Sequence, residues 1–184
     1  KISKGWLMNG FPTEFVERLE SIIPQIKDFD AQQYFNAKPK IAYRVNTLKK
    51  DSAEVYGLLR ERQILFSRLS WFADAFILTE ADHPVASTDW FSQWIEEGVI
   101  YRQSASSLLV PVLLDPKPGE MILDLCAAPG SKTTQMSAMM RNEGVIWAVD
   151  AVRERYYKLR RVAEILGATN IQFLGVDGRR FRPP

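Results

Sequence analysis

Short apolar runs alternate with longer helical patterns along the second half of the chain. Predominantly apolar stretches at 121–125, 145–149 and 171–175 have the length of buried strands. Between them, helical patterns extend from Ser131 through Met140 and from Val152 to Leu166. This order of strand, helix and strand predicts a parallel α/β sheet.

The first half of the chain carries mixed signals, which indicate a small α+β domain. The predicted elements are a helix at 13–23 stopped by Pro24, a weaker helix at 31–35, a strand at 41–48, a helix opened by Asp51 and Ser52, a strand at 71–79, a helix at 89–97 capped by Thr88, a strand at 98–103 and a helix at 104–114. We therefore expect an N-terminal domain at 1–97 and an α/β domain at 98–184.

Composition narrows the function classes. The hydrophobic content of 46% and charged content of 25% are ordinary for a globular protein, and no apolar run is long enough to span a membrane. A single cysteine and a single histidine exclude an internal disulfide, fit a cytoplasmic location and argue against a metal site. The net charge of +2 hides a basic stretch, since residues 38–68 hold eight Lys or Arg and three Asp or Glu. That stretch could meet phosphates or could form a solvated face.

The turn at 126–130 is the strongest candidate for a ligand site. Small residues and a glycine separate the strand at 121–125 from a helix, and we expect Ser131 to cap that helix. Free N–H groups at a helix N-terminus favour an anionic group such as a carboxylate. The spacing fits neither a Walker loop nor a dinucleotide fingerprint, because Gly130 is the only glycine between Gly119 and Gly144.

Carboxylates follow the next two strands. Asp150 comes directly after the strand at 145–149, and Asp177 follows the strand at 171–175. Ligands of parallel sheets bind at the carboxyl ends of the strands. Asp150 could accept both ribose hydroxyls of an adenosine, and Asp177 could accept from the adenine amino group. Taken alone, Asp150 could equally cap the following helix.

The motif Asp124-Leu125-Cys126-Ala127-Ala128-Pro129-Gly130-Ser131-Lys132-Thr133 resembles the cofactor loop of the RNA (cytosine-5)-methyltransferases of the Nop2/Sun (RsmB/NOP) family. Ser131 replaces the second glycine of that loop. The segments Arg44-Val45-Asn46-Thr47 and Gly98-Val99-Ile100-Tyr101-Arg102-Gln103 are also similar to the family. The resemblance implies the first half of a Rossmann-like class I methyltransferase domain that binds S-adenosyl-L-methionine and acts on ribosomal or transfer RNA.

The resemblance also implies roles for individual residues. Lys132 and the loop backbone would hold the methionine portion of the cofactor, Asp150 the ribose and Asp177 the adenine end. The implied cofactor-binding residues are Cys126, Ala127, Ala128, Pro129, Gly130, Ser131, Lys132, Asp150, Arg155 and Asp177. Arg155 could instead be one more cation on an exposed helix face.

Four residues are candidates for RNA contact: Arg44, Asn46, Lys49 and Arg102. Arg44 and Asn46 share one face of the predicted strand at 41–48 because side chains alternate with a period of two. That face could read RNA or could be the solvent face of a half-buried sheet.

No catalytic residue is assigned within the chain. Carbon 5 of cytosine is a weak nucleophile, and the family first adds a cysteine thiolate to carbon 6. Cys126 is the only thiol, and we interpret it as a small residue of the cofactor turn. We therefore expect the nucleophile in residues beyond 184, no methylation by residues 1–184 alone, and an exposed apolar edge on the strand at 121–125. A methyltransferase with a non-RNA substrate and a non-catalytic RNA-binding module remain alternatives, and the sequence does not predict an oligomeric state.

Overall fold

The computed structural model describes residues 7–8, 11–22, 41–79 and 83–182, which divide into two units at residues 39 and 40. In the first unit, strands β1 (Leu7–Met8) and β2 (Phe11–Pro12) pair antiparallel and lead into helix α1 (Thr13–Ile22). This helix confirms the prediction at 13–23 to within one residue. The weaker helix predicted at 31–35 lies outside the described residues.

The second unit begins with a four-stranded antiparallel sheet in the order β4-β5-β3-β6. Its elements are β3 (Ile41–Val45), α2 (Ser52–Glu61), β4 (Phe66–Leu69), β5 (Phe72–Leu78), a 3-10 helix (His83–Ser87), α3 (Asp89–Glu96) and β6 (Ile100–Ser104). Asp51 caps α2 by accepting from the N–H of Ala53, as its position before the helix predicts. Strand β4 was missed because four residues with a polar centre give no clear alternation.

Strand β3 is covered on both faces. Tyr43 and Val45 belong to an aromatic core with Phe76 and Phe91, on which α2 and α3 also pack. The opposite face carries Ala42, Arg44 and Asn46, all buried. This face is turned toward the helices of the second half of the unit.

The second half of the unit is a three-stranded parallel sheet in the order β7-β8-β9. Its elements are α4 (Ala105–Leu114), β7 (Met121–Asp124), α5 (Ser131–Met139), β8 (Val145–Val149), α6 (Arg153–Leu166), β9 (Ile171–Leu174) and a 3-10 helix (Gly178–Arg180). The alternation of strand and helix confirms the α/β class and gives a Rossmann-like arrangement. Buried residues of α5 and α6 pack with Ile146, Ala148 and Ile171 on one face of the sheet.

Strand β7 lies at the edge of this sheet among the described strands. Met121, Leu123 and Leu125 are exposed, by 67%, 45% and 47% respectively. The exposed apolar edge expected from the sequence is therefore present in this part of the chain.

The domain boundary near residue 98 stays a prediction. Strand β6 follows that boundary in the sequence yet pairs with β3 along its whole length. Helix α4 then connects β6 to the parallel sheet. In the described part of the chain, no helix has both the length and the apolar character needed to cross a membrane.

Candidate cofactor-binding site

The side chain of Asp124, the last residue of β7, stabilises the turn between β7 and α5 through hydrogen bonds. One carboxylate oxygen, Oδ1, accepts from the N–H of Cys126 at 3.3 Å. The other, Oδ2, accepts from the hydroxyl of Thr133 at 2.7 Å. Thr133 is fully buried in the first turn of α5, so this carboxylate ties the end of the strand to the start of the helix. Asp124 was part of the motif that the sequence showed, but its clamping role became visible only in the structure.

Gly130, not Ser131, is the N-cap residue of α5, so the cap predicted from the sequence was wrong. Gly130 has a φ of +108°, and a Cβ at this position would lie 2.9 Å from Cδ1 of Leu159. The positive φ favours glycine here, and a side chain would also displace the end of Leu159 on α6. Ser131 is the first helical residue, and its hydroxyl lies 3.4 Å from that of Ser107.

The first turn of α5 offers backbone N–H groups that have no acceptor within the helix. Thr134 is the first residue whose N–H finds one, the carbonyl of Gly130 at 2.9 Å. The side chain of Cys126 and that of Lys132 are exposed beside this turn. The N–H groups, the positive end of the helix dipole and a lysine thus form a site suited to a carboxylate.

Asp150 is buried at the end of β8, with 4% of its surface exposed. Its Oδ2 accepts from the N–H of Ala128 at 3.1 Å, and its Oδ1 accepts from the N–H of Val152 at 3.1 Å. The second bond reaches the N-cap residue of α6, so Asp150 supports that helix start as well as the turn. A carboxylate has about four acceptor positions, so these two bonds leave room for Arg155 and for a ligand.

Arg155 joins Asp150 to the turn. Its Nη2 donates to the carbonyl of Ala128 at 2.8 Å and lies 3.4 Å from Oδ2 of Asp150. The arginine is therefore held at the site and is more than a cation on an exposed helix face. Whether it contacts the cofactor stays a prediction.

Asp177 follows β9 and begins the 3-10 helix at Gly178–Arg180. It accepts from the N–H and the guanidinium of Arg179, with Nε at 3.0 Å and Nη2 at 2.5 Å. These bonds lower the pKa of Asp177 to about 2, so the group is ionised at neutral pH. A Cβ on Gly178 would lie 3.2 Å from Leu125, which shows that the loop after β9 lies beside the turn after β7.

The three strand ends are joined by backbone hydrogen bonds. The N–H of Ala127 donates to the carbonyl of Val149 at 3.0 Å, and the N–H of Asp150 donates to that of Leu174 at 3.1 Å. The predicted site residues therefore converge at one edge of the sheet, as the carboxyl-edge rule requires.

The expected exposure of Arg44 and Asn46 was wrong. Both alternatives, RNA contact and a solvent face, require an exposed side chain, but Arg44 is 1% and Asn46 0% exposed. Asn46 donates to the carbonyls of Gly98 and Leu166, both at 2.8 Å. Period-two alternation identified the shared face correctly, but it could not show that helices from a distant part of the chain cover it.

Lys49 and Arg102 remain candidates for RNA contact. Both are exposed, and the ammonium of Lys49 donates to the carbonyl of Glu97.

A buried polar network behind the turn was missed by the sequence analysis. Arg44 donates through Nη2 to the hydroxyl of Thr134 at 3.1 Å, and its Nε lies 3.5 Å from Oε1 of Gln103. Gln103 donates to Gln135 at 3.0 Å, and Gln135 donates to the carbonyl of Leu108 at 2.9 Å. The only available signal was a run of polar residues, Thr133 to Gln135, in a helix with no clear apolar face.

The buried network contains a charged group, the guanidinium of Arg44. Burial lowers the pKa of Arg44 to about 10, which leaves the guanidinium positive at neutral pH.

Over the described ranges there is no group of three or more His, Cys, Asp or Glu that could hold a metal ion.

Comparison with known proteins gives related sequences along most of the chain. Residues 111–183 match the family described as 16S rRNA methyltransferase RsmB/F. A tRNA (cytosine(49)-C(5))-methyltransferase of Pyrococcus abyssi is 43% identical over 77% of this chain and 43% of its own length. A ribosomal RNA small subunit methyltransferase F of Shewanella amazonensis is 33% identical over 86% of this chain and 34% of its own length. The chain thus spans less than half the length of these curated relatives.

A solved structure shares the fold. The crystal structure of a methyltransferase homologue from Pyrococcus horikoshii superposes with a TM-score of 0.76 at 34% identity, covering 90% of this chain and 52% of that one. The resemblance of the motif at 124–133, the parallel sheet with its carboxyl-edge site and these related sequences agree, and the chain belongs to the Nop2/Sun family of RsmB/F methyltransferases.

Proposed function

We propose that the full-length protein transfers a methyl group from S-adenosyl-L-methionine to carbon 5 of a cytosine in ribosomal or transfer RNA. The observation that carries this proposal is the convergence of a helix N-terminus, Asp150 and Asp177 at one sheet edge. Bound there, the cofactor supplies an electrophilic methyl group on a sulfonium.

The residues of the site fit the three parts of that cofactor. The first-turn N–H groups of α5 and Lys132 suit the methionine carboxylate. Asp150 keeps acceptor positions for ribose hydroxyls, and Asp177 is ionised and would accept from the adenine amino group in exchange for one of its bonds from Arg179. The backbone from Cys126 to Ser131 lines the turn between them.

RNA as the substrate is part of the same proposal. The matched relatives are named for tRNA and ribosomal RNA cytosines. Lys49 lies in the turn after β3, and Arg102 lies opposite Tyr43 in the middle of the β3–β6 pair. Both are exposed cations that can meet phosphates. A cytoplasmic location, expected from the single cysteine, is also part of the proposal.

Methyl transfer to an RNA substrate tests the proposal in the full-length protein. We expect turnover of labelled S-adenosyl-L-methionine by the unaltered protein. Asp150→Ala should raise KM for the cofactor about 10- to 100-fold, because bonds to a charged group contribute about 1.5 to 3 kcal/mol each. Cys126→Ala should keep its kcat, with at most a rise in KM, because this thiol lies in the cofactor turn and cannot also attack carbon 6.

Glu154→Ala is the matched control, since Glu154 is exposed in the first turn of the same helix that Asp150 supports. Complete loss of turnover in a folded Cys126→Ala protein that binds cofactor would refute the role given to Cys126. Methylation of a protein or a small molecule in preference to RNA would favour the alternative substrate class. Salt-sensitive RNA binding without any methyl transfer would favour a non-catalytic module.

A further inference from the structure

A hydrogen-bonded path connects Arg44 on β3 with the carbonyl of Gly130 in the cofactor turn. Nη2 of Arg44 donates to the hydroxyl of Thr134 at 3.1 Å. That hydroxyl donates onward to the carbonyl of Gly130 at 2.7 Å. The N–H of Thr134 donates to the same carbonyl at 2.9 Å, so Gly130 is held twice by one residue.

Arg44 is a costly residue at this place. It is 1% exposed, and over the described ranges no carboxylate lies within ion-pair distance of it. Its Nη1 is buried and finds no hydrogen-bond partner in the described part of the chain. The ring of Tyr101, whose centre lies 5.6 Å from Cζ, offsets part of the desolvation of this cation, but a buried guanidinium with an unbonded nitrogen lowers stability.

The position of this charge is unfavourable for the helix as well. Thr134 lies in the first turn of α5, where the helix dipole already favours anions and disfavours cations. Residues that lower stability in this way are expected where function requires them. A positive charge behind the turn would also attract an anionic ligand bound at the N–H groups of that turn.

We infer that Arg44 is a positioning residue for the cofactor. Through Thr134 it fixes the carbonyl of Gly130, and with it the N–H groups that receive the carboxylate end of the ligand. Its charge adds to the positive end of the helix. This inference rests on the proposed function, because it takes the turn to be the site of the methionine portion.

The two ends of the cofactor would be held by different residues. Asp150 and Asp177 receive the adenosine end without a contact to Arg44 among their observed hydrogen bonds. Loss of the path should therefore weaken a ligand that carries the amino-acid portion and spare one that lacks it. S-adenosylhomocysteine and 5′-methylthioadenosine are such a pair.

Calorimetric titration of the full-length protein with both compounds tests this. We expect Thr134→Val and Arg44→Met each to weaken S-adenosylhomocysteine about tenfold, within the usual range of coupling between sites, and to change 5′-methylthioadenosine less than about twofold. The double variant should bind no more weakly than the worse single variant, because both changes break one path. Thr169→Val, at an exposed threonine, is the matched control.

Each outcome decides a separate question. Failure of the unaltered protein to bind S-adenosylhomocysteine would refute the proposed function. Normal binding by the unaltered protein, with equal weakening of both ligands or of neither in the variants, would refute the role of Arg44 alone. Should Arg44→Met not fold, Thr134→Val leaves the guanidinium in place and carries the test by itself.

Discussion

The two faces of strand β3 are both buried, but one packs through apolar contacts and the other through hydrogen bonds. On one face, Tyr43 packs at 5.6 Å from Phe76 and at 5.0 Å from Phe91, ring centre to ring centre. On the other face, Arg44 and Asn46 are equally buried but make directed hydrogen bonds to residues more than 50 positions away. One face of the strand therefore contributes mainly to stability, and the other face mainly fixes the geometry of the contacts with distant residues.

The difference lies in what each kind of contact fixes. Apolar burial is non-directional, so the aromatic face fixes volume and little else. Buried hydrogen bonds need particular donors and acceptors at particular angles, so the polar face fixes how β3 and β6 sit against the helix that follows the cofactor turn. Substitutions on the two faces should differ accordingly.

The largest effect is expected from Phe76→Ala on the aromatic side. Phe76 is fully buried and contacts the rings of Tyr43, Tyr56 and Phe66. The cavity should lower the free energy of unfolding by about 3 to 5 kcal/mol, while S-adenosylhomocysteine affinity of the folded protein stays unchanged. Urea denaturation followed by circular dichroism measures the first quantity. Phe76→Leu, which leaves a smaller cavity, should cost less, and an equal cost for both variants would contradict the explanation.

A smaller effect is expected from Gln135→Leu on the polar side. Gln135 is fully buried and links Gln103 to the carbonyl of Leu108. Leucine has a similar volume but leaves both partners unsatisfied, which should cost about 1 to 3 kcal/mol of stability. The same substitution at exposed Gln93 should change stability by less than about 0.5 kcal/mol. Equal urea midpoints for the two variants would show that the buried network contributes no more than a surface glutamine.

The smallest expected effect is on how stability depends on pH above pH 9. The effect has one sign for Tyr56 on the aromatic side and the opposite sign for Arg44 on the polar side. Burial raises the pKa of Tyr56 to about 12, from 10.0. Above pH 10 the unfolded chain therefore holds fewer protons than the folded chain, and this group's stabilisation is lost as pH rises toward 12. Burial lowers the pKa of Arg44 to about 10, well below its usual range, so above pH 10 the folded chain holds fewer protons and this group's contribution to stability rises with pH.

Urea midpoints measured between pH 9 and 11 distinguish these signs. Tyr56→Phe should flatten the alkaline loss of stability, and Arg44→Met should steepen it. Between pH 7 and 9 neither variant should alter the slope, because neither group titrates there. Changes of the same sign in both variants would contradict the assignment of opposite shifts.

The sequence by itself determined the α/β class, the three parallel strands and the carboxyl-edge position of the turn, Asp150 and Asp177. These features depend on local patterns: short, predominantly apolar runs, helical periodicity and the residue that follows each strand. The motif at 124–133 added the family, since its residue types and spacing are specific. Asp51 as a helix cap was also readable, because capping acts within a few residues.

Only the tertiary structure decided which polar residues are buried and what they hold. Period-two alternation placed Arg44 and Asn46 on one face, but their partners Thr134 and Leu166 are 90 and 120 positions away. Ser131 had the residue type of a cap, yet Gly130 takes that position in the folded chain, with a φ of +108° that L side chains rarely adopt. Packing between elements distant in sequence leaves no local pattern, so the network behind the cofactor turn became visible only once the chain was folded.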